Sequence, residues 1–90
     1  MAERNLRVEL YLDQDEASAE QREVIGKVSQ RFPQLEVQEF TLNSSQALDR
    51  GIILAPGLVI DDVILGVGRV VSAGKIRRFL ESDQVEDENG

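Results

Sequence analysis

Ninety residues make one domain, with room for a single core of Leu, Val and Ile and for no second module. Ten basic against seventeen acidic residues leave a formal net charge of -7, which repels nucleic acid and an anionic membrane surface alike. With no cysteine and no histidine, disulfides and thiolate nucleophiles are excluded and a metal would find only oxygen ligands, so no cofactor is expected.

The opening Met1-Ala2-Glu3-Arg4-Asn5 lacks the long apolar stretch of a signal peptide. No later run approaches the roughly 20 apolar residues that span a bilayer. A soluble cytoplasmic protein is the expectation. Leu6, Val8, Leu10 and Leu12 alternate with Arg7, Glu9 and Tyr11, the period of a strand with one well-buried face. From Glu16 to Phe32, Ala17, Val24, Ile25, Val28 and Phe32 recur at helical spacing, with Gln21 as a break. Pro33 stops that helix. Leu35 to Leu42 reads as a second strand whose alternation slips a phase between Val37 and Phe40, as an edge strand or a bulge allows.

Ser44 or Ser45 is placed to cap a short helix through Leu48 to Arg50, with Gly51 where a left-handed closing residue is wanted. Leu58-Val59-Ile60 and Val63-Ile64-Leu65 flank Asp61-Asp62, the pattern of a tight antiparallel hairpin. Ser72 then caps a last helix that turns Ile76, Phe79 and Leu80 inward. The expected order is β-α-β-α-β-β-α, an α/β domain with a mixed four-stranded sheet: a parallel first pair and an antiparallel hairpin. Residues 1–82 make that domain, and residues 83–90, with four acids and no base, read as a disordered, solvated tail.

This order, with a proline leading into the third strand, resembles the thioredoxin-like fold of glutaredoxins and small thioredoxins. The nearest likeness is to the small "redox-active disulfide" thioredoxin family. It rests on Asp49-Arg50-Gly51, on Ala55-Pro56-Gly57-Leu58-Val59-Ile60-Asp61 and on Gly68-Arg69-Val70, and extends over residues 6 to 82. The resemblance implies a Cys-x-x-Cys between first strand and first helix, where this chain has Asp15-Glu16-Ala17-Ser18. Neither a carboxylate nor an unassisted hydroxyl exchanges with a disulfide, so thiol–disulfide chemistry is ruled out.

Two groups of residues remain as candidates. Asp13, Asp15, Glu16 and Ser18 suit a helix start, the acids complementing the helix dipole and Ser18-x-x-Gln21 offering a capping box. The functional alternative makes Ser18 a hydrogen-bond donor to a bound thiol or anion, as in glutathione transferases of this fold. The nearby acids oppose that ligand. Leu54, Ala55 and Pro56 form the second group. In thioredoxin-like proteins the equivalent proline is cis and the residue before it pairs with an extended peptide, an edge that survives loss of the thiols. The alternative is that Pro56 only shapes the turn.

Other motifs are structural. Gly66-Val67-Gly68 fails the dinucleotide fingerprint because Val71 holds the third glycine position, and Gly68 to Gly74-Lys75 lacks the spacing of a phosphate loop. Asp61-Asp62 suits a turn, and Lys75, Arg77 and Arg78 make a small basic face that is chiefly solvated surface. The leading expectation is a redox-inactive, non-enzymatic interaction or regulatory module with a protein partner, using Leu54, Ala55, Pro56, Asp15 and Ser18. The alternatives are a small thiol- or anion-binding enzyme built on Ser18, and a regulatory protein like the clock-associated KaiB family, also a cysteine-poor thioredoxin-like fold.

Overall fold

In the computed structural model, which describes residues 5–89 and the side chains of 5–82, the elements follow the expected order. They are β1 (Leu6–Leu12), α1 (Glu16–Arg31), β2 (Leu35–Thr41), α2 (Ser45–Arg50), β3 (Gly57–Ile60), β4 (Val63–Val67) and α3 (Ala73–Asn89). The strands form one four-stranded sheet in the order β2-β1-β3-β4. β1 pairs parallel to β2 and antiparallel to β3, and β3 pairs antiparallel to β4. The side chains of the acidic stretch at 83–90 lie outside the described residues, and the backbone of α3 runs through to Asn89. Among the described residues, no helix is long and apolar enough to cross a membrane.

Local chemistry sets the ends of the elements. Phe32 closes α1, its N–H bonded to the Val28 carbonyl, one residue before Pro33. Ser44 caps α2 by accepting the Ala47 N–H at 3.1 Å, and Gly51 closes it at φ 73°, a conformation that a side chain would strain. Asp61 and Asp62 both have positive φ, as the two central residues of a type I′ hairpin turn require. Ser72 accepts the Lys75 N–H at 3.2 Å and so starts α3.

Both faces of the sheet are covered. Leu6, Val8 and Leu10 face α1 and α3 in the main core, with Leu58 and Ile60 of β3 beside them and Ile25, Val28, Ile76 and Leu80 above. Arg7, Glu9 and Tyr11 point to the other side, which α2 and the segment after it cover. Tyr11 is buried in a second cluster with Ala47, Ile52 and Val59, against Phe40 and Leu42. Its ring stacks on Phe40 with centroids 5.3 Å apart.

The same two-sided burial explains the phase slip in β2. Its register with β1 is regular from Leu6↔Leu35 to Leu12↔Thr41, with no bulge. By that register Val37 shares the face of Val8, and Phe40 shares that of Tyr11. Leu35 lies in the main core and Phe40 packs against the second cluster, while Val37 stays exposed on the face of Val8. The irregularity of the sheet lies instead between β3 and β4, where Leu65 is extra in the pairing.

Candidate functional site

The start of α1 is built by Asp15 and Ser18. Asp15 is the N-cap, its Oδ1 accepting the Ser18 N–H at 2.8 Å, while the Ser18 Oγ accepts the Asp13 N–H at 3.0 Å. These bonds close a reciprocal cap one turn earlier than the expected Ser18-x-x-Gln21 box. The Ser18 hydroxyl and amide beside Asp15 hold its carboxyl below the usual carboxylate range. Ser18 itself is only 2% exposed, so its hydroxyl is a structural group within the loop. A shallow open groove of about 570 Å³ beside it is lined by Leu12, Asp13, Asp15, Ser18, Ala19 and Arg22.

Gln21, read as a break in the helix stripe, is fully buried. Its Nε2 donates to the Val71 carbonyl at 3.0 Å and its Oε1 accepts the Val71 N–H at 2.6 Å. One side chain thereby satisfies both backbone groups of the residue leading to α3 and fixes α1 against it.

Leu54, Ala55 and Pro56 lie where β3 begins. Tyr11 pairs with Gly57, so one further step along the antiparallel register brings Pro56 beside Leu12, at the same end of the sheet as the 13–15 loop. Both candidate groups therefore share one end of the domain. They do not share a cavity: the groove beside Ser18 is lined by none of 54–56. The Ala55–Pro56 peptide is cis, Pro56 is buried, and its carbonyl accepts the Gly68 N–H at 2.9 Å. Leu54 packs over Gly68 yet remains 56% exposed, and Ile53 before it is 77% exposed. Among the described residues, the backbone N–H and C=O groups of Ile53, Leu54 and Ala55 have no hydrogen-bond partner. The segment thus presents free backbone polar groups beside two aliphatic side chains, the requirement for pairing with an extended peptide.

Composition and spacing did not show the polar group under α2. Glu9, on central strand β1, is 1% exposed and accepts from Arg50 twice, Nε to Oε1 at 2.9 Å and Nη2 to Oε2 at 2.7 Å. The Tyr11 hydroxyl also donates to Glu9 Oε1, and Arg7 Nε stands 3.5 Å from Oε2. Arg50 Nη2 continues to Asp62 in the hairpin turn at 2.6 Å. Arg50 holds the Glu9 carboxyl below its ordinary value against the opposing effect of burial. Burial first, and then the Glu9 carboxylate, push the Tyr11 phenol up to about 12. The only legible signal was Tyr11 two residues from Glu9 on one strand face, with Arg50 expected to end α2. These polar groups are saturated by one another, and the cluster fastens α2 to the sheet and the hairpin.

Two solved structures superpose on nearly the whole chain. One is of a malarial protein, with a TM-score of 0.73 and 14% identity over 87% of this chain and 96% of that one. The other is thioredoxin-2, a component of the malaria parasite's protein secretion machinery, with a TM-score of 0.70 and 12% identity over 91% of this chain and 86% of that one. The fold is thioredoxin-like. At these identities the likeness carries the fold alone. No family model matches the sequence, and no curated protein matches it. In this thioredoxin-like domain Asp15 and Ser18 stand at the start of α1, and no cysteine occurs anywhere in the chain.

Proposed function

We propose that this thioredoxin-like domain is a non-enzymatic, cytoplasmic interaction module that binds an extended segment of a protein partner along Ile53–Leu54–Ala55. The observation that carries the reading is the unpaired backbone of those three residues, among the described residues, at a sheet end that also exposes Ile53 and Leu54. A partner strand laid there gains main-chain hydrogen bonds, and its side chains cover the two aliphatics. Pro56 cannot donate and its carbonyl is already bonded to Gly68, which marks the inner limit of the free stretch. Loss of the cysteines leaves this surface intact.

The alternative built on Ser18 is less well supported, because that hydroxyl is buried and already accepts the Asp13 N–H. The regulatory reading of the KaiB kind stays within the same class, and the β3–β4 hairpin and last helix account for the chain without a switched state. The test is affinity capture from the native host's lysate with wild type and a folded Ala55→Arg variant side by side. Ala55 is half-buried, so the variant's fold is checked first by circular dichroism. A partner held by wild type and lost from Ala55→Arg is the expected result; a partner held equally by both overturns the assignment to this segment.

A further inference from the structure

The free segment Ile53–Leu54–Ala55 ends beside a loop that carries one sign of charge. Leu12, which the strand register brings to Pro56, runs directly into Asp13, Gln14, Asp15 and Glu16, and all four are exposed. At about 3.3 Å per residue, an extended partner bonded to Leu54 and Ala55 reaches that loop within two or three residues.

The three carboxylates of the loop keep their charge toward solvent. Among the described residues, no Lys or Arg pairs with Asp13, Asp15 or Glu16. Arg22 lines the same groove, but its guanidinium is held by Glu39 at 3.0 and 2.7 Å. A second groove, of about 460 Å³, that Asp13 lines together with Thr41, Leu42 and Asn43 brings no cation either. The N-terminus of α1 offsets only about half a charge. On the β4 side of the segment the sign changes, because Arg69 follows Gly68, over which Leu54 packs.

We propose that the partner segment received at Ile53–Ala55 is cationic: an extended stretch whose aliphatic side chains cover Ile53 and Leu54, and whose next Lys or Arg lies against Asp13 and Glu16. This rests on the reading of Ile53–Ala55 as a peptide-binding edge and adds what that edge selects. The charge complementarity is local, and the net charge of -7 over the whole chain also draws a basic partner in. The same charge disfavours a second copy as the occupant. The chain's own stretch at 83–90, with four acids and no base, has the wrong sign for this place.

Titrating the full chain with three synthetic peptides of one length, each a Val-Thr alternation flanked by Lys, by Gln or by Glu, tests this through amide shifts. The Lys peptide is expected to shift Ile53, Leu54 and Ala55 together with residues 13–16, and to bind about fivefold tighter than the Gln peptide, with the Glu peptide weakest. That preference should shrink in high salt. It should vanish when Asp13→Asn and Glu16→Gln are combined, while the Gln peptide keeps its affinity. Asn retains the oxygen that accepts the Gln14 N–H, and Asp15 is left in place because it caps α1. Lys and Gln peptides bound equally well at Ile53–Ala55 overturn the charge selection and leave the peptide-binding edge standing. Shifts confined to residues 13–16, or no shift from any of the peptides, overturn both.

Discussion

Arg50 lies along both carboxylate oxygens of Glu9 although 41 residues separate the two in sequence, and with this pair the last residue of α2 is fastened to the central strand. Glu9 is fully buried while Arg50 keeps about a quarter of its side chain in water, so the carboxylate depends on its partner more than the guanidinium does. Arg50→Met should therefore cost about 3 kcal/mol, the magnitude of leaving one member of a buried ion pair alone. Urea unfolding measures it. The double variant Glu9→Met with Arg50→Met should recover part of that loss, because no charge is then stranded; a double variant worse than Arg50→Met alone would contradict the account.

Tyr11 is the sole tyrosine in a chain without tryptophan, so its ionisation can be followed directly by ultraviolet absorbance. Its folded value is raised from 10.0 to about 12, so the protonated form is favoured in the folded state. The stability it contributes is complete below pH 10.0 and is lost as pH rises from there through about 12. The phenolate signal should be absent near pH 10 and appear only well above it. Glu9 gives the opposite limb: its folded value is lowered, so its contribution is present above the ordinary 4.5 and is lost as pH falls below that. Stability measured against pH should fall on both sides, and Tyr11→Phe should remove the alkaline limb attributable to the phenol.

Gln21→Leu fills the same space with an apolar side chain and strands the N–H and carbonyl of Val71 in the core. The expected loss is about 2–3 kcal/mol, the desolvation of two backbone groups left without partners. Amide exchange at Val71 should accelerate more than at Ile25, one turn further along the same helix. Equal effects at the two positions would mean that the side chain contributes bulk and not its amide.

Gly66 lies in β4 where a Cβ would come 2.6 Å from a methyl of Val71. Val71 is buried, stiff at its branched Cβ, and held at both backbone groups by Gln21, so it has little freedom to retreat. Gly66→Ala should destabilise by about 1–3 kcal/mol through overpacking, and thermal unfolding reads the change. Coupling Gly66→Ala with Val71→Ala should restore part of it.

Much of the fold was legible because its boundaries are set by local chemistry. Pro33, Ser44, Gly51, the Asp61-Asp62 turn and Ser72 each act within a few residues of where they stand, and the alternation in β1 locates the main core. What was not legible depends on residues distant in sequence. Glu9 reads as a surface acid until Arg50 is brought over it, and Gln21 reads as a gap in an apolar stripe until Val71 arrives beneath it. Ser18 looks available in the sequence and is buried because Asp13 folds back onto its hydroxyl. The proline-loop group at Leu54–Pro56 could be named from the resemblance, while the adjoining exposure of Ile53 and the bulge at Leu65 follow only from how β3 and β4 pair.

The central claim is that the free backbone at Ile53–Ala55 receives an extended partner segment. Selecting peptides on the folded domain and mapping the bound peptide by amide shifts tests it most directly. The account predicts shifts concentrated at Ile53, Leu54 and Ala55, with binding weakened by Ala55→Arg. Shifts centred instead on residues 13–18, with Ala55→Arg binding as tightly as wild type, would contradict it.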